Sequence, residues 1–361
     1  MNASYPTGKG ASSMDRSGVD AIHRLLEHEV SERSLPGAVV GAANRESVWF
    51  RHSVGYRQVT PEPWPMTVNT LFDLASLTKV VATTSLVFRV LERGLLRLDD
   101  LVSRFLPADF GSLRLFHLLT HTSGLPAWMD LTSFDPTMRD LRIGAVASAE
   151  RIYPAGDQVL YSDLNFVLLG HILESITGLG LDRLFAEEVR GPLGLEHTGF
   201  LPKPYPEIAA TETDASGIPF VGVVHDENAR AAGGVLGHAG LFGTLDDLLT
   251  FGQALLRYGE GPKTRWLSPA SVKALVRPRT LGLPGELRAY GYQKPHPLSS
   301  AGDLMSEAAI GHTGFTGTSL WVDFDYDVVM VMLTNRVHFG RALNAPVRLR
   351  PIFHNMVLAM I

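Results

Sequence analysis

Strand-like patterns lie near both ends of this chain and enclose a long, helix-rich middle. Residues 38–43 are small and apolar, and residues 47–54 follow them as a hairpin partner. Residues 317–324 and 327–334 alternate or run apolar around a short polar turn, which predicts a second antiparallel hairpin. This distribution predicts an α+β fold (an α/β sandwich), in which an antiparallel sheet flanked by helices carries an inserted all-helical lobe.

Helical patterns fill most of the remaining chain. Apolar periodicity and end signals predict helices over residues 18–32, 76–92, 115–120, 163–176, 181–189, 244–256 and 351–361. A Pro- and Gly-rich stretch over about 191–240 predicts loops. We therefore predict the following organisation: a disordered lead-in over 1–17, an α/β lobe over 18–75 and 236–361, and a mainly helical lobe with cleft-rimming loops over 76–235.

Composition excludes several classes of function. The 361 residues carry a formal net charge of −5, which argues against nucleic acid as a partner. The chain has no cysteine, so disulfides, thiolate zinc sites and a cysteine nucleophile are excluded. No apolar run predicts a membrane span, and the first 17 residues lack the apolar stretch of a signal peptide. We expect a cytoplasmic protein, or a periplasmic or extracellular one if a signal has been removed. Oligomeric state is left open.

Ser76 and Lys79 stand three residues apart where an apolar helical pattern begins. A helix places them on one face, with the lysine one turn above the serine. A serine hydroxyl needs such a base within hydrogen-bond reach to act as a nucleophile. Of the six lysines, only Lys79 has a serine three residues before it. Taken alone, the pattern also fits a serine that merely caps a helix.

Tyr161 follows a turn and directly precedes the predicted 163–176 helix. We expect it to point into a cleft, where a neighbouring ammonium would lower the pKa of its phenol. It could then exchange protons together with Lys79. The simpler interpretation is a tyrosine packed at a helix entry, with Ser162 as the cap.

His312, Thr313 and Gly314 open the terminal strand region. Glycines beside a strand let a substrate approach closely, and the N–H groups of Phe315 and Ser76 are candidate oxyanion donors. His312 or Thr313 is a candidate to hold a substrate carboxylate or the tyrosine proton. The alternative is a glycine-rich turn with a surface histidine.

A metal centre is the other kind of site that the sequence could form. The run from Val224 to Asn228 places carboxylates beside His225, and His238 follows not far downstream. Tight ligand spacing of the His-Glu-x-x-His kind is missing from the sequence. We therefore predict neither a metal nor a cofactor. The sequence also lacks a Gly-x-Ser-x-Gly elbow and a Walker-type loop, which disfavours the α/β-hydrolase fold and nucleotide hydrolases.

The three motifs together resemble the serine β-lactamase and penicillin-binding-protein superfamily. The likeness is closest to its class C β-lactamase branch, which includes DD-peptidases, D-aminopeptidases and family VIII-type carboxylesterases. The order and approximate spacing agree, and three further stretches are similar to the family: residues 118–126, 237–244 and 333–336. The resemblance spans residues 18–361. It implies Ser76 as nucleophile, Lys79 as its base and Tyr161 as the relay to the leaving group.

Two departures from the family pattern shape the expected activity. Asp163 stands where the family commonly has Asn, and we expect it to pair with Lys79 and hold it charged. His312 stands where the family commonly has Lys, and a neutral imidazole binds a carboxylate less firmly.

The resulting hypothesis is a serine hydrolase that acts through an acyl-enzyme on a small-molecule ester, D-peptide or β-lactam. We expect a carboxylesterase or D-amino-acid peptidase rather than an efficient β-lactamase. The alternative is a catalytically silent module on the same scaffold, which recognises peptidoglycan fragments or acyl ligands.

Overall fold

A six-stranded antiparallel sheet forms the centre of the protein. The computed structural model describes residues 16–361. Its strands are, in chain order, β1 (Gly37–Ala43), β2 (Val48–Gln58), β3 (Trp64–Pro65), β4 (Phe72–Asp73), β5 (Gly199–Phe200), β6 (Leu241–Gly243), β7 (Ile310–Thr313), β8 (Ser319–Asp323) and β9 (Val328–Thr334). The main sheet has the order β3-β2-β1-β9-β8-β7, and a small second sheet has the order β4-β6-β5.

Strands from the two ends of the chain meet in the middle of the main sheet. β1 pairs antiparallel with β9, from Ala38 opposite Thr334 to Ala43 opposite Val329. All seven residues of each strand are buried. Strands buried on both faces read as near-continuous apolar runs, as these two do. The structure confirms the predicted α+β fold with its antiparallel sheet.

Helices lie on both faces of this sheet and fill the middle of the chain. They are α1 (Arg16–Ser31), α2 (Ser85–Glu92), α3 (Leu115–Leu119), α4 (Arg139–Ala147), α5 (Asp163–Thr177), α6 (Leu181–Phe185), α7 (Gly191–Leu193), α8 (Glu227–Ala231), α9 (Leu245–Leu256), α10 (Pro269–Val276) and α11 (Ala345–Leu358). Two π-helical segments, Lys79–Thr84 and Ala186–Arg190, and two 3₁₀ segments, Val102–Arg104 and Arg336–Phe339, complete the helical structure of the described residues.

Alternate residues of the central strands belong to two different cores. Ala38, Val40 and Ala42 pack in one cluster with residues of α1 and α11. Val39 belongs to the other cluster, together with residues of α9 and of the helical middle. This alternation is the period of two that a strand imposes on its side chains. Helix α9 crosses the sheet closely, because a Cβ at Gly252 would lie 2.4 Å from Val329 Cγ1.

Helix α5 is a core helix that carries two of the predicted site residues at its start. Its residues Leu164–Leu173 are all buried, and it ends at Gly178, which adopts the left-handed conformation. Within residues 16–361, no single helix is both long and apolar enough to cross a bilayer. Only α5 together with the stretch Leu181–Leu193, bent by 80° between them, meets that test.

Three boundaries differ from the sequence predictions. The predicted lead-in over 1–17 falls mostly outside the described residues, and α1 already includes Arg16 and Ser17. The last helix begins at Ala345 instead of 351, because Pro346 takes the early helical position that proline favours. The predicted 76–92 helix starts with the π segment Lys79–Thr84. There, Thr84 Oγ1 donates to the Lys79 carbonyl, five residues back, at 2.8 Å.

Candidate active site

Ser76 lies in a tight turn between strand β4 and the π segment. The amides of Leu77, Thr78 and Lys79 each donate to the carbonyl three residues back, so the turn is tighter than an α-helix. Ala75 has a φ of +46°, a left-handed conformation that is costly for a residue with a Cβ. Residues in such conformations persist only where their surroundings hold them.

Neighbouring segments hold this turn firmly from the sheet side. The hydroxyl of Thr316 donates to the Asp73 carbonyl at 2.8 Å, and that of Thr318 donates to the Leu74 carbonyl at 3.0 Å. The buried Asp73 carboxylate accepts from the Ala75 amide at 2.8 Å. The serine is therefore presented at the cleft by a backbone with little freedom.

The Lys79 ammonium lies directly beneath Ser76 and is fully buried. Its Nζ donates to Ser76 Oγ at 2.9 Å and to the His238 carbonyl at 3.1 Å, and it forms an ion pair with Asp163 at 2.7 Å. The 237–241 turn delivers the His238 carbonyl, because Thr83 Oγ1 donates to the Gly237 carbonyl at 2.6 Å. These three oxygens and the Tyr161 hydroxyl surround the ammonium.

This environment keeps Lys79 protonated. Burial alone would lower the pKa of Lys79, but the Asp163 carboxylate and then the Tyr161 oxygen outweigh it, so the pKa lies above its ordinary value of 10.5. The ion pair expected from the sequence between Asp163 and Lys79 is present. A neutral amine, ready to take the Ser76 proton, is not the resting form.

Tyr161 stands at the entry to α5 and completes a triangle with the serine and the lysine. Its hydroxyl interacts with both the Ser76 hydroxyl and the Lys79 ammonium, and Lys79 Nζ lies 5.0 Å from the centre of its ring. The sequence predicted a lowered phenol pKa. The structure gives the opposite direction, because burial raises the pKa of Tyr161 by more than the neighbouring ammonium lowers it.

His121 is a buried residue whose ring packs against Tyr161. Its Nδ1 accepts from the Ser162 amide at 3.1 Å, which leaves the proton on Nε2. Its ring centre lies 4.6 Å from that of Tyr161. The residue adopts a φ of +56° at the end of α3, so local strain is stored where the tyrosine is held.

His312 and Thr313 end strand β7, and His312 is buried rather than on the surface. Its Nδ1 donates to the Thr313 carbonyl at 2.8 Å. Burial, and then the charges of Arg288 and Lys79, hold the pKa of His312 well below its ordinary value of 6.5. The ring is therefore neutral at neutral pH, which makes it a poor partner for a substrate carboxylate.

Gly314 brings the end of β7 against the Ser76 turn. A Cβ at this position would lie 2.5 Å from the Leu74 carbonyl and 3.3 Å from the Ala75 Cβ. The backbone N–H groups of Ser76 and Phe315 make no hydrogen bond to the described part of the chain. Both residues line the same cleft, so the two predicted oxyanion donors are free to bind a ligand.

All eight predicted site residues come together at one cleft of about 930 Å³. Lys79 lies beneath its floor, and the other seven line it: Ser76, Tyr161, Asp163, His312, Thr313, Gly314 and Phe315. Sequence reasoning missed two buried arginines that line the cleft, Arg288 and Arg350. The sequence carried no local signal for them, because each approaches the site only through the tertiary fold.

One group of metal-capable side chains occurs among residues 16–361. Asp163, Asp226 and His238 offer ligand atoms within 4.8 Å of one another. His238 Nε2 lies 2.9 Å from Asp226 Oδ1, and the Lys79 ammonium contacts Asp163 and the His238 carbonyl. The cation that this group holds in the structure is therefore the lysine side chain itself.

Comparisons with known proteins identify the family to which this chain belongs. The Beta-lactamase family profile matches residues 22–350. An Escherichia coli protein, provisionally named D-alanyl-D-alanine carboxypeptidase, is 33% identical over 322 positions, which cover 77% of this chain and 71% of that protein. A Salmonella agona protein with the same provisional name is 32% identical over 386 positions, which cover 92% and 87%.

A solved structure gives a similar result. EstCE1, described as a hydrolase with promiscuous acyltransferase activity, matches with a TM-score of 0.72 and 25% identity, over 93% of this chain and 99% of that one. Together, the antiparallel sheet and the serine–lysine–tyrosine cluster define a serine hydrolase. The chain belongs to the Beta-lactamase family.

Proposed function

We propose that this protein hydrolyses small esters or amides through an acyl-enzyme on Ser76. The observation that carries the proposal is the triangle of Ser76, Lys79 and Tyr161, in which Lys79 Nζ lies 2.9 Å from Ser76 Oγ and Tyr161 contacts both. The free N–H groups of Ser76 and Phe315 would bind the oxyanion of the tetrahedral intermediate.

Because Asp163 holds Lys79 as an ammonium, we assign the role of general base to Tyr161. In this proposal the Tyr161 phenolate takes the proton from Ser76 Oγ as the bond from Oγ to the substrate carbonyl carbon forms. It then gives that proton to the leaving group as the bond to the leaving group breaks. Water deacylates the enzyme by the same path in reverse. The Lys79 ammonium stabilises both oxygens throughout, because Asp163 keeps it charged.

Two features favour ester or small D-peptide substrates over β-lactam drugs. Asp163 accepts hydrogen bonds but cannot donate one to a substrate amide carbonyl. His312 is neutral, so β7 does not present the ammonium that the family commonly has there. We place the protein in the class C-like branch as an esterase or D-amino-acid peptidase. The provisional name of its relatives supports the peptidase activity, and the likeness to EstCE1 supports the esterase activity.

Intact-mass spectrometry tests the acyl-enzyme. Incubation with a fluorophosphonate is expected to add one adduct to the wild-type protein and none to Ser76→Ala, while Ser148→Ala, on the exposed end of α4, keeps the adduct. An adduct that persists in Ser76→Ala contradicts the assignment of the nucleophile.

A substrate panel tests the preference. Turnover of a p-nitrophenyl ester and of a D-alanyl-D-alanine peptide is compared with turnover of nitrocefin, a β-lactam, under identical conditions. We expect the ester or the peptide to be turned over faster. Fast nitrocefin hydrolysis, with slow turnover of the other two, overturns the preference but not the acyl-enzyme.

A further inference from the structure

Arg288 is a buried, charged residue at the cleft, and the reaction proposed above assigns it no role. Its side chain is 2% exposed, yet it lines the cleft beside the three motifs. It belongs to none of those motifs. Burial of a charged side chain this deep costs folding free energy unless the charge is paired and hydrogen-bonded.

The backbone around Arg288 is fixed next to strand β7. The Arg288 amide donates to Thr280 Oγ1 at 2.9 Å, and its carbonyl accepts from the Arg279 amide at 2.7 Å. Gln293 exchanges two backbone hydrogen bonds with Gly311 of β7, at 2.8 and 3.1 Å. The turn from Arg288 to Gln293 thereby extends the sheet and brings the arginine close enough to His312 to affect its pKa.

The guanidinium group of Arg288 lies close to the catalytic tyrosine. Its central carbon is 5.3 Å from the centre of the Tyr161 ring, and Lys79 Nζ is 5.0 Å from that centre. The phenol therefore lies within reach of two buried cations. One comes from the helical side of the cleft, and the other comes from the segment that borders the sheet.

The charge of Arg288 is only partly neutralised by protein groups. Nη2 donates to Glu286, a carboxylate that is 27% exposed and therefore partly screened by water. Nε and Nη1 have no hydrogen-bond partner among the described residues. Lys79, in contrast, is surrounded by oxygen acceptors.

The neighbouring histidines respond to this charge. After burial, the charge of Arg288 is the largest cause that holds the pKa of both His121 and His312 well below 6.5. The third motif therefore contributes a neutral imidazole. Arg288 adds a positive charge on that side of the cleft, which Arg336, Arg341 and Arg350 also line.

We propose that Arg288 is a positioning residue that stabilises negative charge on the Tyr161 oxygen during proton transfer. The inference rests on the relay role proposed above for Tyr161. Arg288 acts through the tyrosine, in parallel with Lys79, and supplies from a neighbouring segment the cation that β7 itself lacks. The groups that share the field at Tyr161 are Ser76, Lys79, Asp163, His121 and His312.

The test compares four variants on a neutral substrate, p-nitrophenyl acetate, which has no carboxylate to bind. Arg288→Met removes the charge, and Arg288→Lys keeps it. Glu286→Gln removes the partial neutralisation. Arg279→Met is the matched control, because Arg279 lies 4.3 Å from the Tyr290 ring in the same manner but does not line the cleft.

Arg288→Met is expected to lower kcat by about 10²-fold with little change in KM, since general acid–base help of this kind is worth about 10²–10⁴-fold. The pH at which activity rises should move up by about one unit, because loss of a nearby cation raises the phenol pKa. Arg288→Lys should retain most of the rate and the profile. Glu286→Gln should move the profile the opposite way, and Arg279→Met should leave both unchanged.

Two results overturn the inference. One is an Arg288→Met protein with unchanged kcat and pH profile on the neutral ester. The other is a loss confined to KM for an ester that carries a carboxylate, which would make Arg288 an anion-binding residue.

Melting curves identify a variant that fails to fold, and the pH profile of Arg288→Lys then decides the question. Full activity of Tyr161→Phe removes the proposed relay itself, whereas an inactive Tyr161→Phe beside an unaffected Arg288→Met rejects this inference alone.

Discussion

The two sides of the cleft differ in how completely their cationic side chains are hydrogen-bonded. On the helical side, the Lys79 ammonium has the Ser76 hydroxyl, the Asp163 carboxylate and the His238 carbonyl as partners at 3.1 Å or less. On the sheet side, Arg288 keeps two nitrogens without a hydrogen-bond partner in the described part of the chain. The Phe315 N–H, like that of Ser76, makes no hydrogen bond there either.

This difference teaches how the two sides divide the chemistry. Groups that are fully partnered are held in one geometry and one protonation state, which suits the positioning of a nucleophile. Donors without partners are ready for charge that develops only during the reaction, which suits stabilisation of an oxyanion. In the proposed reaction, the helical side would hold the nucleophile for attack, and the sheet side would stabilise the charge that follows.

The largest effect is expected when the lysine of the helical side is removed. Lys79→Ala should slow acylation of Ser76 by a p-nitrophenyl ester by about 10²–10⁴-fold, because the serine loses its hydrogen-bond partner and the field of the ammonium. Pre-steady-state burst kinetics measures this rate. Unchanged acylation would remove Lys79 from the mechanism.

A double variant separates chemistry from stability in that experiment. Lys79→Ala alone leaves the Asp163 carboxylate without its partner, at a cost of about 3 kcal/mol in unfolding free energy. Lys79→Ala with Asp163→Asn should recover that stability in urea titrations but not the rate. Recovery of both would show that the single variant had lost its fold rather than an ammonium needed for acylation.

The next effect concerns the contact between the two sides. Gly314→Ala should lower kcat/KM by about 10²-fold, because its Cβ would lie 2.5 Å from the Leu74 carbonyl and force the β7 end away from the Ser76 turn. Steady-state assays and melting temperatures measure the effect. Gly144→Ala, at a helical glycine with open space around it, serves as the control and should keep full activity. An active Gly314→Ala enzyme would show that the two sides need not touch.

A smaller effect is expected from the charge of Asp163. The reactive form has lost one proton from the pair of Lys79 and Tyr161, and both pKa values lie above their ordinary values, so activity should rise toward alkaline pH. Asp163 contributes to raising both. Asp163→Asn should therefore move the rise to lower pH by about one unit.

The pH profile of kcat/KM checks this prediction. Asp157→Asn, on the exposed turn just before Tyr161, is the matched control and should leave the profile in place. A shift of the Asp163→Asn profile to higher pH would show that the carboxylate does not raise these two pKa values.

The smallest effect is expected for the two buried histidines near Tyr161, His121 and His312. His121 and His312 should be neutral at pH 6.5, where a free imidazole is half protonated, since burial and then Arg288 hold both pKa values well below 6.5. NMR titration of the ring signals measures this directly. A His312 signal that titrates near pH 6.5 would contradict the burial of this ring and the cationic surroundings that lower its pKa.

Sequence reasoning succeeded where the signal was local. The spacing of Ser76 and Lys79 placed both on one helical face, and Asp163 was expected to pair with the lysine before any contact was known. The alternating strands near both ends predicted the sheet, because the period of two is set by the backbone itself.

The rest depended on contacts that no window of sequence contains. Arg288 and Arg350 approach the site from segments far from the motifs, and the direction of the Tyr161 pKa shift follows from burial, which the sequence does not give. Sequence reasoning predicted an ordinary helix where the structure has the π segment. Hydroxyls such as that of Thr84 bind the carbonyls of this segment, and apolar periodicity does not reveal this pattern.

The turn that carries Ser76 has a consequence for when the protein becomes active. Its carbonyls at Asp73 and Leu74 are held by hydroxyls that lie 243 and 244 residues downstream. A chain emerging from the ribosome cannot make these bonds until Thr316 and Thr318 have been synthesised and the last strands have added to the sheet. A nascent or truncated polypeptide that ends before them should therefore be inert toward acylating reagents, although its serine and lysine are already in place along the chain.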